Sequence, residues 1–74
     1  MIELDDNLKN LEWRREHHSE LAEKYPNMWV AIVDKKVVAS HKRLGIVEVL
    51  AEKRTGIDRN KVTVSFIEGN NLIV

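Results

Sequence analysis

Apolar and polar positions change period along the chain, and the changes mark four segments. From about residue 6 to 24, Leu4, Leu8, Leu11, His18, Ala22 and Tyr25 fall within one helical face, with Leu21 at its edge. Asp5 and Asp6 suit a helix start, and Pro26 biases Tyr25 away from helical geometry, so this segment predicts one long helix. Trp13 lies opposite the leucine stripe, which makes it either an interface residue or part of a wider buried arc through His17 and Leu21. From 28 to 40, "MWVAIVD" and "KVVAS" bracket a charged corner and predict a hairpin. The first of these strands is apolar on both faces: Trp29, Ala31 and Val33 on one, Met28, Val30 and Ile32 on the other. A strand with two apolar faces belongs at the centre of its sheet.

The corner reads Asp34-Lys35-Lys36, with neither the Gly nor the Asn that tight primed turns favour. It therefore predicts a looser loop. A second helix is expected over about 42–55, capped by Ser40, with Leu44, Val47, Leu50 and Ala51 inward. Gly56 suits its left-handed end, and Ile57 can fold back there. A last strand, about 61–67, alternates Val62, Val64 and Phe66 with Thr63, Ser65 and Ile67. The terminal triplet Leu72, Ile73 and Val74 leaves room for a short fourth strand.

The order α-β-β-α-β in one domain predicts an α+β fold. The expected form is a two-layer sandwich: an antiparallel three-stranded sheet in the order 2-1-3, with both helices on one face. Such a sheet would leave the second apolar face of strand one open. We therefore expect a homodimer or another protein partner, meeting the chain through Trp13, Met28, Val30, Ile32, Leu72, Ile73 and Val74.

Composition narrows the chemistry. The 74 residues contain no cysteine, which excludes thiolate catalysis and thiolate metal sites. Twelve basic and twelve acidic residues cancel, removing the usual electrostatic case for nucleic acid or an anionic membrane. The basic pairs Lys35-Lys36 and Lys42-Arg43 could still meet in one patch, so an antitoxin-like or nucleic-acid-binding regulator is the alternative reading. The longest apolar run, Met28 to Val33, is too short to span a bilayer, and the acidic start lacks a signal-like core, so a cytoplasmic protein is expected. His17 and His18 are adjacent and preceded by Arg14 and Arg15, a poor arrangement for a metal; His18 reads as a hydrogen-bonded core residue. Glu12 with Arg15, and Glu20 with Lys24, have the spacing of helical ion pairs. No serine, glycine or carboxylate pattern marks an active site, so we expect neither an enzyme nor a bound cofactor or metal.

The run "LAEKYPNMWVAIVDKKVVASHKRL" resembles a small prokaryotic, largely archaeal family known as domain of unknown function 5678. Leu21, Tyr25, Pro26, Trp29, Val30, Ala31, Val33, Asp34, Val37, Val38 and Ala39 carry the resemblance, over about residues 18 to 67. The family commonly has Gly after that Asp, where Lys35 stands here. The resemblance implies a fold and no activity.

Overall fold

A computed structural model describes residues 6–69. Helix α1 (Asp6–Glu16) and helix α2 (His18–Lys24) precede strands β1 (Met28–Ile32) and β2 (Val37–His41). Helix α3 (Leu44–Thr55), a 3₁₀ turn (Arg59–Lys61) and strand β3 (Thr63–Ile67) follow. The α+β class, the element order and the antiparallel sheet β2-β1-β3 all agree with the sequence reading. Leu72, Ile73 and Val74, and with them the fourth strand, lie outside the described residues.

The layering differs from expectation. Two separate apolar clusters form, one on each face of β1. Leu21 and Ala22 of α2 close over Val30, Ile32 and Ile67, while Val47 and Ala51 of α3 close over Ala31 and Ala39. The helices therefore cover opposite faces, and the fold has three layers rather than two. The cause is the doubly apolar strand itself: each of its faces needs its own cover. Val30, Ala31 and Ile32 are completely buried, so the strand face expected to await a partner is closed within the chain.

The first helix also breaks where one rod was expected. His17 leaves helical geometry (φ −106°, ψ 21°), and its backbone N–H and Nδ1–H both donate to Trp13 O, at 3.0 and 2.9 Å. The inward face changes too. Leu8 is exposed, whereas Asn10 is buried at 6% exposure and Trp13 packs against the core. The wider arc through Trp13, His17 and Leu21 is the one the fold uses. The pairs Glu12–Arg15 and Glu20–Lys24 do not form; among the described residues an ion pair joins Arg59 to Glu52 at 3.6 Å. Exposed helical pairs contribute too little to hold two long side chains in place.

Asn10 goes inward because its carboxamide has three partners there. Nδ2 donates to Ile32 O at 3.3 Å and to Thr63 Oγ1 at 3.1 Å. Oδ1 accepts from Lys35 N–H at 3.0 Å, and Thr63 Oγ1 in turn donates to Asn7 Oδ1 at 2.8 Å. One side chain thus ties α1 to the end of β1, to β3 and to the hairpin corner.

That corner is tight, not loose. Val33 and Lys36 exchange backbone hydrogen bonds of 3.0 and 3.2 Å around two residues, Asp34 (φ 51°) and Lys35 (φ 59°). Two positive φ angles in a two-residue loop are the mark of a type I′ turn. Non-glycine residues resist this geometry, at a cost of roughly 1–2 kcal/mol each. Asn10 offsets part of it by taking the Lys35 N–H. Next to the turn, Ala31 faces Ala39 but Ile32 faces Val37, so Val38 is a bulge. Its carbonyl accepts from Arg54 of α3 at 2.9 Å, and on the other edge strand Phe66 O accepts from Arg14 at 2.8 Å.

Ser40 does not cap α3. It stays within β2, and the helix starts after Arg43, whose N–H donates to His41 Nδ1 at 3.0 Å. Gly56 ends α3 in left-handed geometry (φ 73°), and Ile57 folds back onto the α3-side cluster, both as expected.

Two substitutions test the corner. Asn10→Ala strands the Lys35 and Thr63 groups and is expected to lower unfolding free energy by about 1–3 kcal/mol in urea titrations. Lys35→Gly keeps the N–H and relieves the φ, so a gain of about 0.5–1 kcal/mol is expected, read as a raised melting temperature.

Candidate functional site

Helices α1 and α2 contact β3, and α2 also closes over β1, so the half-buried Val37 at the start of β2 packs at the edge of that cluster. A groove of about 200 Å³ runs between the helices and β2. Trp13, His17, Glu20, Leu21, Lys24 and Tyr25 form its helical wall, and Lys36 and Val37 form the other. The wall is built by the irregular turn. Because His17 bonds back to Trp13 O, its ring stacks on the Trp13 indole, with centroids 4.8 Å apart and planes 26° apart. Tyr25 terminates α2 in non-helical geometry (φ −130°, ψ 54°) and packs against the same cluster as Trp13 and Val37. The floor is Leu21, which is buried.

Trp13, singled out in the sequence as ambiguous, is both things at once. It packs against the core and lines the groove, half-buried. The other interface candidates separate from it. Val30 and Ile32 are fully buried, and Met28 is half-buried at the start of β1. Tyr25, Leu21 and Val37 take their place in the groove. The sequence did contain the signal, since a wider helical arc through Trp13, His17 and Leu21 leaves Trp13 at its edge. The site was missed because the Leu8 stripe competed with that arc.

The basic residues do not form one patch. Lys35 and Lys36 precede β2, whereas Lys42 and Arg43 follow it. An extended run of about six residues separates Lys36 from Lys42 by roughly 20 Å. On the α3 side of the sheet, the strand register aligns His41, Trp29 and Phe66 in one row. Trp29 meets Phe66 edge-on at 5.3 Å and packs against the α3 cluster. His18 is half-buried, but its Nδ1 has no partner among the described residues, so the expected hydrogen bond is missing. Among the described residues, no three His, Asp or Glu side chains gather as metal ligands, and no helix is long and apolar enough to cross a membrane.

A helix–hairpin–helix–strand unit with a groove beside its hairpin defines a small α+β domain. The chain belongs to the family of unknown function DUF5678, whose model matches residues 20–70. That span begins at Glu20 of α2 and takes in Leu21, Lys24, Tyr25, Lys36 and Val37, whereas Trp13 and His17 lie before it. No curated protein and no solved structure matches the chain.

Proposed function

We propose that this chain is a non-enzymatic interaction domain that engages another protein through the groove between α2 and β2. The observation that supports this reading is the groove's lining: the rings of Trp13, His17 and Tyr25 beside Leu21 and Val37, with Glu20, Lys24 and Lys36 supplying the charged groups. Interfaces draw their binding energy from such aromatic anchors in apolar pockets ringed by polar groups. The cytoplasm is the compartment this reading assumes. Self-association through an uncovered β1 loses its ground, because α2 and α3 bury that strand. The nucleic-acid alternative loses the basic patch on which it depended.

The test is affinity capture from the native cell extract with the tagged full chain. A protein retained by the wild type and by Phe66→Ala, on the opposite face, should be lost with Trp13→Ala and with Val37→Ser. Circular dichroism checks that each variant folds. Capture that ignores both groove substitutions contradicts the reading. Light scattering at high concentration is expected to show a monomer, and a dimer abolished by Trp13→Ala would make the partner a second copy of the chain.

A further inference from the structure

We infer that the groove's partner presents an apolar side chain flanked by carboxylates, in other words an acidic peptide segment; this rests on the groove being the binding site. Lys24 stands at the end of α2 and Lys36 just before β2, so two separate elements bring a lysine to the same groove. Both side chains are exposed, and neither makes an ion pair among the described residues. Glu20 is the single acidic residue on the lining, which leaves the groove with a positive excess.

That excess is local. The whole chain is balanced at twelve basic and twelve acidic residues. A second depression on the far side of Trp13 is balanced as well, with Lys9 and Lys35 against Glu12 and Glu16. Trp13 therefore separates a charge-balanced depression from one with a positive excess. Charge complementarity of this kind selects and orients a partner more than it adds affinity. Lysine heads on flexible stems suit carboxylates whose positions vary, such as those of a peptide. A nucleic-acid strand needs a longer track of cations than two lysines supply.

The test uses the full chain, labelled with ¹⁵N, and a probe peptide of one leucine between two pairs of glutamates, acetylated and amidated. Saturable shifts are expected at the Trp13 indole and at the Lys36 and Val37 amides. The lysine-flanked counterpart should bind about fivefold more weakly, the size that two exposed ion pairs support. The double variant K24E/K36E, with changes only at exposed positions, should reverse the preference. Equal response to the two peptides, no response to either, or shifts away from the groove overturns the inference. So does a ten-nucleotide oligothymidylate that binds the groove better than the acidic peptide. Loss of the charge preference with Trp13-dependent capture intact would leave the groove standing and remove only the acidic partner. Capture that ignores Trp13 would remove the groove itself.

Discussion

The Asn10 carboxamide sits where three segments meet, and the arrangement of the fold depends on it. It donates to the end of β1 and to Thr63 of β3, and it accepts from the Lys35 N–H at the hairpin corner. A buried amide with these partners removed would cost more than an apolar side chain in the same place. Its partners are met only when α1 lies at one height and one rotation over the sheet. Apolar packing alone is tolerant of small slides; three directional bonds are not. The same residue lets a lysine occupy a left-handed turn position that glycine fills more easily.

Fixing α1 in that register has consequences further down the helix. Asn10 pointing inward directs Trp13 and His17 to the same side, one turn and two turns later. The local break at His17 then stacks the two rings and sets Leu21 and Tyr25 over the sheet. With α1 and α2 over β3 and β1, the start of β2 stands at the edge of their cluster, and the groove lies between it and the helices. The groove is therefore a by-product of where a polar residue anchors a helix. On the opposite face, α3 completes the burial of β1 and sends Arg54 to the bulged edge.

Much of the architecture was legible in the chain. The hairpin and its central strand follow from the two-sided apolarity of residues 28–33, and Gly56 marked the end of α3. The layer arrangement was misread because a doubly apolar strand can be covered by a partner or by a second helix, and periodicity does not distinguish these. The helix face was misread for a related reason. Leucine spacing outweighed an asparagine, although the asparagine is buried and Leu8 is exposed. Hydrophobic pattern is blind to a polar residue that finds all its partners inside. The corner was misread likewise: turn propensity disfavours Asp-Lys at positive φ, and only the tertiary bond from Lys35 to Asn10 makes it acceptable. Of the site, Trp13 was visible, whereas Tyr25, Leu21 and Val37 came together only once α2 was placed.

Native-state hydrogen exchange at the Lys35 amide tests this account most directly. That N–H belongs to an exposed two-residue turn and has no strand partner; its bond is to Asn10 Oδ1. If Asn10 locks the corner to α1, the Lys35 amide opens only when α1 leaves the sheet. It should then exchange with the opening free energy of the β1 core amides. Exchange at the rate of an unprotected turn amide, with β1 still protected, would contradict it.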